Sequence, residues 1–336
     1  MAVDEARRVG LRAMADLATP MAVRVAATLR VADHIAAGFR TAADIATVTG
    51  THPGALDRLL RHLVTIDLLA DDEPGVYTLT ESGEHLRENH AGGMRKWLDI
   101  HGAVGRGDLS FVELAHTIRT GSPAYAVRYG VPFWEDLASD DTLSASFDVL
   151  MGHHIDIDNS GITEAYDWTR LRNVVDVGGG NGALLGKLLC RYPGLRGTLV
   201  ELPGPAEAAR SLFQRAGLTA RTETVTGSFF DPLPPGSDGY LLSSVIHNWD
   251  DEHATAILRR CSEAATDDGV VLVVEAINTA ESPNTAMDLR MLVYTGGRER
   301  TLGQIAELAG NARLAVRATY PITPTSLTSV IELVKV

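Results

Sequence analysis

Apolar positions along the chain follow two rhythms, and the change between them falls near residue 168. Before it they recur every three or four residues, the spacing of a helix with one buried face. Residues 2–36 read as helical on this basis, with Leu11, Met14, Leu17, Met21, Val25 and Leu29 on one stripe. Thr41 can cap a helix over AADIATVTG that Gly50 stops, and Pro53 opens the next, GALDRLLRHLVTIDLL. An acidic turn (Asp71, Asp72, Glu73, Pro74, Gly75) and the short strand VYTLT complete a winged-helix-like unit. From Ala91 to Asp167 the pattern stays mostly helical, with aromatics such as Trp97, Phe111, Tyr125, Phe133 and Phe147. Most of these read as core, and some as lining a cleft where a small molecule could bind.

After Trp168, strands and helices alternate: NVVDVGG, GTLVELP, ARTETVTGS, GYLLSSVI, VVLVVEAI, AVRATYPIT and TSVIELVKV are the strand-like runs. Helical segments separate the first five, which implies a parallel sheet with right-handed crossovers. The last two join through ITPTSL with no helix between them, so an antiparallel hairpin closes the sheet. This predicts an α/β chain in three parts. Residues 1–95 form a helical winged-helix-like dimerisation domain, 96–168 a helical region lining the substrate cleft, and 169–336 a Rossmann-like catalytic domain. Seven strands with an inverted last strand is not the dehydrogenase arrangement.

Composition narrows the classes of function. Of the 336 residues, 45% are hydrophobic and 22% charged, as in soluble globular proteins. The formal net charge of −13 argues against a phosphate-backbone partner, and the 53–69 helix therefore has no electrostatic footprint for DNA. The start, MAVDEARRVG, is charged where a signal peptide needs an apolar core, and no apolar run approaches a membrane span. Cys190 and Cys261 both fall in helical patterns, which excludes a disulfide framework or a Cys-based zinc site. A cytoplasmic protein is expected. The segment DIDNSGITEAYD (156–167) imitates a calcium loop but ends in Asp167 where a bidentate Glu belongs, so a turn between helices is expected. His153 and His154 would diverge on a helix, so no metal pair is expected there.

The candidate chemistry begins at Asn173–Gly182, NVVDVGGGNG. A β-branched run carries Asp176, then glycines make a tight turn and leave the backbone open to a ligand. ALLGKLLCRY continues at helical spacing, which places a helix N-terminus at the loop, a geometry suited to a nucleoside cofactor. Twenty-one residues after Gly180, Glu201 ends a second apolar run, positioned to accept hydrogen bonds from ribose hydroxyls. Gly178, Gly180 and Ala183 also satisfy G-x-G-x-x-A, so the loop alone leaves a nicotinamide enzyme open. His247 (in YLLSSVIH) and Glu275 (in VVLVVE) each end a strand-like run, which projects both at the carboxyl edge of the sheet.

Taken in order, DVGGGNG, VELPG, GSFFDPLP, HNWDDE, VVEAI and GGRERT resemble the bacterial S-adenosylmethionine-dependent O-methyltransferases related to plant caffeate and hydroxyindole methyltransferases. The resemblance covers nearly the whole chain and is strongest to the enzymes of aromatic polyketide pathways, both naphthoate and anthracycline. It implies that Asp176, Gly178 and Gly180 hold the methionine end of S-adenosylmethionine. It implies further that Glu201 binds the ribose, and that Leu202, Phe229 and Trp249 flank the adenine. Gly227 and Ser228 belong to the same GSFF motif, Ser228 replacing the usual Asp. Ser243 stands where plant members carry a Lys. His247 takes the place of the family's general base, Asn248 replaces the usual Asp beside it, and Glu275 and Glu299 match the two acids that hold the base. Arg12 and Tyr294 resemble positions that bracket the aromatic acceptor, and Arg12 could pair with an acceptor carboxylate. Trp97, Met151, Asp288 and Met291 are further pocket candidates. The family's intertwined N-terminal helices imply a homodimer.

The chemistry agrees. Methyl transfer from a sulfonium is an in-line displacement that depends mainly on alignment. A phenol titrates near ~10 and an imidazole near ~6.5, so a histidine takes the proton as the oxygen attacks rather than beforehand. A carboxylate on the other ring nitrogen would fix its tautomer. Two other readings stay open: a hydroxylase on the same fold and cofactor, whose known relatives lack the histidine before the NW pair, and a small-molecule-sensing regulator.

Overall fold

The structure, a computed structural model, describes residues 10–280 and 283–336, the side chains of residues 72 and 153–160 excepted. The chain divides into two compact units, Met1–Arg106 and Gly107–Val336, so the helical stretch expected over 96–168 is shared between them.

In the first unit, helices α1 (Ala18–Thr28), α2 (Val31–Ala36), α3 (Ala42–Thr49) and α4 (Pro53–Thr65) precede an antiparallel hairpin, β1 (Leu69–Glu73) and β2 (Val76–Leu79). The Thr41 side chain accepts the Asp44 amide, and Gly50 ends α3 with φ 66°, so both punctuation signals act as read. Ala22, Ala26, Ile35, Ile45, Leu56, Leu60, Leu63 and Tyr77 form the core. The helical reading of 2–36 holds over the described residues, in three pieces. Helical residues 10–15, α1 and α2 are separate pieces, and Arg30 breaks the last junction at φ 54°. Residues 2–9 of that expectation lie outside the described residues.

The second unit begins with short helices, then α5 (Asp141–Ala165). Strands β3 (Asn173–Val177), β4 (Arg196–Glu201), β5 (Thr222–Thr226), β6 (Gly239–Ser243) and β7 (Val270–Ala276) follow. Between them lie α6 (Ala183–Arg191), α7 (Pro203–Arg215) and α8 (Asp251–Ala264). The chain ends with α9 (Thr285–Tyr294), α10 (Leu302–Asn311), β8 (Leu314–Pro321) and β9 (Thr328–Lys335). The sheet order is β5-β4-β3-β6-β7-β9-β8, parallel except that β9 runs antiparallel to both neighbours. Strand residues alternate between two cores. Val175, Val177, Tyr240 and Leu242 pack with Ile257, Leu258, Ile305 and Leu308; Val174, Leu199, Leu241 and Leu272 pack with Leu184, Leu185, Leu188 and Phe213.

Two local expectations are corrected. DIDNSGITEAYD is no turn between helices: residues 156–165 are the last part of α5. YLLSSVIH leaves the sheet at Ser243, and His247 sits in a 3₁₀ turn, Ile246–Asn248. Among the described residues no helix is long and apolar enough to cross a membrane.

Candidate active site

The carboxyl ends of β3, β4, β6 and β7 carry the groups singled out above. In the loop after β3, Gly178, Gly180 and Gly182 take left-handed φ values of 71°, 57° and 75°. A Cβ on Gly179 would fall 2.2 Å from Asp176 Oδ2, and one on Gly178 would press on Phe229 and Val245 at 3.2 Å. The glycines thus let the backbone fold over the acid and bring the GSFF aromatic against the loop. Asp176 is completely buried, and neither carboxylate oxygen has a protein partner. Burial, helped by the charge of Glu201, pushes its carboxyl up to about 7. Glu201 accepts the amides of Gly180 at 3.0 Å and Leu202 at 2.7 Å. These bonds lower its proton affinity, but burial outweighs them and lifts its carboxyl to about 7.

The Gly227 amide donates to the Glu201 carbonyl at 3.0 Å, and a Cβ at Gly227 or Gly180 would meet open space. Ser228 Oγ accepts the Phe230 amide, and Trp249 stands edge-on to Phe229 and Phe230 at 5.9 and 4.9 Å. Leu202 is partly exposed at the head of α7, and Ser243 is half-buried at the end of β6. Two buried orphan acceptors beside an open, glycine-lined backbone fit a ligand rich in hydrogen-bond donors and apolar ring surface. S-adenosylmethionine is such a ligand.

The second half of the site is built around His247. Its Nδ1 lies 2.9 Å from Glu299 Oε1 and 3.6 Å from Glu275 Oε2. Glu275 Oε1 also accepts the amides of Ile246 at 3.0 Å and His247 at 3.3 Å, gripping the turn from its N–H side. Glu275 and Glu299 are both buried. Burial alone would lower the imidazole's basicity. Glu275 by its charge, and Glu299 by hydrogen bond and charge, overcome that and raise it to about 9, with Arg300 opposing them. Burial raises the Glu275 carboxyl, and the His247 charge works against that rise. With Nδ1 bound to carboxylate, Nε2 is the nitrogen left to accept a proton.

Several residues of this site escaped sequence reasoning. Arg300, although buried, donates to the carbonyls of Ile246 and Trp249, each at 2.8 Å. Gly297 lies so close that a Cβ there would meet the His247 carbonyl oxygen at 2.1 Å. Asn248 Nδ2 donates to the Ser244 carbonyl at 2.9 Å, which the carboxylate usual at this position could not do. Of these, Gly297 and Arg300 lie in the GGRERT motif with no role read from it, and Asn248 stood out only as a departure from the usual Asp.

The expected acceptor-binding residues divide. Asp288 on α9 accepts the Glu299 amide at 2.8 Å and so belongs to the histidine's support. Met291 and Tyr294 are buried on the same helix, and Met151 is half-buried on α5. The Tyr294 hydroxyl donates to Asp108, which also receives Arg290 Nε at 2.8 Å, and the ring stacks on Phe133 at 5.5 Å. Arg12 is exposed and Trp97 half-buried, both in the first unit. Among the described residues no group of three or more His, Cys, Asp or Glu side chains is arranged to hold a metal ion.

Comparison with known proteins bears on this geometry. A model of the O-methyltransferase domain matches residues 111–314, and one of the O-methyltransferase dimerisation domain matches residues 11–89. The chain is 62% identical over 322 residues to a 2,7-dihydroxy-5-methyl-1-naphthoate 7-O-methyltransferase of Streptomyces carzinostaticus, covering 96% of this chain and 97% of the relative. It is 48% identical over 313 residues to the aclacinomycin 10-hydroxylase RdmB of Streptomyces purpurascens, covering 91% and 84%. A crystal structure of the O-methyltransferase NcsB1 from neocarzinostatin biosynthesis, in complex with S-adenosylmethionine and 2-hydroxy-5-methyl naphthoic acid, superposes with a TM-score of 0.93. It is 62% identical and covers 97% of this chain and 98% of that one.

Proposed function

The chain belongs to the O-methyltransferase family, and on that premise we propose that it methylates a phenolic hydroxyl of a small naphthoate-like aromatic acid or polyketide, using S-adenosylmethionine in natural-product biosynthesis. The observation that carries this reading is a histidine hydrogen-bonded at Nδ1 to buried Glu299, with buried Glu275 close by, beside a loop where both carboxylate oxygens of Asp176 are orphans. Asp176, Gly178, Gly180, Glu201, Leu202, Gly227, Ser228, Phe229, Ser243 and Trp249 would hold the donor. Bound there, it supplies an electrophilic methyl group on a sulfonium. In its neutral form, the minor one at pH 7 given a midpoint raised to about 9, His247 takes the hydroxyl proton at Nε2 as the oxygen attacks. Turnover should therefore rise with pH toward 9. Glu299 keeps the tautomer and, with Glu275, stabilises the imidazolium that forms. Arg12, Trp97, Met151, Asp288, Met291 and Tyr294 are the proposed acceptor-binding residues. The protein would act as a cytoplasmic homodimer through its dimerisation domain.

The test is incubation with labelled S-adenosylmethionine and a panel of hydroxynaphthoates, salicylates and anthracyclinones. A methyl ether is expected, and S-adenosylhomocysteine but not NAD should raise the melting temperature. His247→Ala should lower kcat by about 10²–10⁴-fold and leave S-adenosylhomocysteine affinity nearly intact. Equal loss of both would make the histidine structural. The identity to RdmB supports a second reading, hydroxylation of an aromatic polyketide. Oxygen consumption with no methyl ether would favour it.

A further inference from the structure

The turn that presents His247 is gripped from two sides, and only one grip is made by a residue assigned above. Glu275 takes the amide hydrogens of Ile246 and His247. Opposite it, Arg300 Nη1 donates to the Ile246 carbonyl and Nη2 to the Trp249 carbonyl, spanning the turn from one end to the other. The guanidinium is itself fixed. Its side chain is 2% exposed, and its Nε and Nη2 reach Asp251 Oδ1 at 3.0 and 2.8 Å. The backbone on either side of Arg300 is tied down as well. The Arg298 amide donates to the His247 carbonyl at 2.9 Å, and the Asn278 amide donates to the Arg300 carbonyl at 3.0 Å. A flat, two-armed donor meets two carbonyls at fixed separation, which a lysine's single point charge could not match.

We propose that Arg300 is a positioning residue for the reaction: its guanidinium fixes the 246–249 turn so that His247 faces the acceptor, and its charge balances the two buried glutamates. The proposal rests on His247 being the base. The charged groups around the imidazole are Glu275 from β7, Glu299 and Arg300 from the 296–301 loop, and Arg298, which lines the same small cavity. Asp251 at the start of α8 pairs with both arginines. Asp251, Arg298 and Arg300 together add one positive charge, which with the imidazolium offsets the two carboxylates, and Arg300 thereby limits how tightly His247 holds its proton.

The test uses Arg300→Lys and Arg300→Gly in the full chain, with three readouts: kcat for methyl transfer, affinity for S-adenosylhomocysteine, and the His247 titration followed by imidazole ¹⁵N NMR. In Arg300→Lys, kcat should fall about tenfold to a hundredfold, the loss typical of a misplaced base, while S-adenosylhomocysteine affinity stays within about twofold. Arg300→Lys keeps the positive charge and should leave the His247 midpoint near the parental one, whereas Arg300→Gly removes the charge and should raise it by about half a pH unit or more. Added guanidinium, but not ammonium, should restore part of the activity of Arg300→Gly. An Arg300→Lys enzyme with parental kcat, or an Arg300→Gly protein with the parental midpoint, would overturn the proposal. So would one that loses cofactor affinity as steeply as turnover. Should Arg300→Gly fail to fold, Arg300→Lys alone decides. Should the parent methylate nothing, the NMR midpoint still separates the cases: a displaced midpoint keeps the positioning role and discards only the base.

Discussion

Asp176 is buried in the sheet with neither carboxylate oxygen paired, and that has a measurable consequence. Its carboxyl and that of Glu201 both ionise near 7 in the free protein, well above the usual carboxylate range. A ligand that donates hydrogen bonds or an ammonium group to these oxygens favours their charged form. Binding at slightly acid pH therefore releases protons, and affinity should rise with pH through the window around 7, then level off once both groups are ionised. Calorimetry of S-adenosylhomocysteine binding between pH 6 and 8 should show a Kd that falls as pH rises, by at most about tenfold per unit for each released proton. Asp176→Asn should flatten much of that slope. A pH-independent Kd in the parent would contradict this account. At this scale the sequence was readable where an acid closes an apolar run at a strand tip, as Asp176 does before its glycines and Glu201 does at the end of β4. It was silent on Arg300, because an arginine between polar neighbours in a loop looks solvated, and only the fold turns it toward two carbonyls. Asn248 looked like a departure of no known effect, and its amide proves to bind the Ser244 carbonyl.

Among elements, the turn between β6 and α8 was the hardest to read. YLLSSVIH has the apolar content of one strand, and Val245 and Ile246 are indeed buried, but in the core beside the sheet rather than in it. Ser244, at φ 54°, redirects the chain, and pattern alone does not reveal a left-handed serine. A similar misreading affected DIDNSGITEAYD, whose likeness to a calcium loop suggested a turn, whereas Gly161 lies within α5. The glycine instead lets α5 approach β9's preceding loop: a Cβ there would stand 2.7 Å from the Ile322 carbonyl oxygen. Gly297 makes the same kind of contact with the histidine's turn, which leads to a prediction. Gly297→Ala places a methyl against backbone that cannot yield cheaply, at a cost of about 1–3 kcal/mol. The protein should remain folded with a melting temperature lower by a few degrees, while kcat drops about tenfold to a hundredfold through displacement of His247. Parental kinetics would show that the turn has slack after all.

For the whole molecule, the parallel strands and the inverted last strand were legible because each crossover helix, or its absence, is written in the periodicity. The two compact units meet after residue 106, inside a stretch where the helical rhythm runs on, so packing sets that boundary. The first unit also retains apolar side chains that its own core does not use. Leu11 and Leu17 are each 67% exposed and Met14 is 86% exposed, all within one short segment. Single exposed apolar residues need no explanation, but three in seven positions inside a matched dimerisation domain suggest a surface covered by a second copy. Each such side chain contributes roughly 1.5–3 kcal/mol when fully buried. Leu11→Asp combined with Met14→Asp should therefore weaken self-association by several kcal/mol, about a hundredfold to a thousandfold or more in Kd. Sedimentation velocity at micromolar concentration should give a dimer for the parent and a shift toward monomer for the double variant, with far-ultraviolet circular dichroism unchanged. A double variant that sediments with the parent would mean that these residues face solvent in the assembly and that another surface joins the two copies.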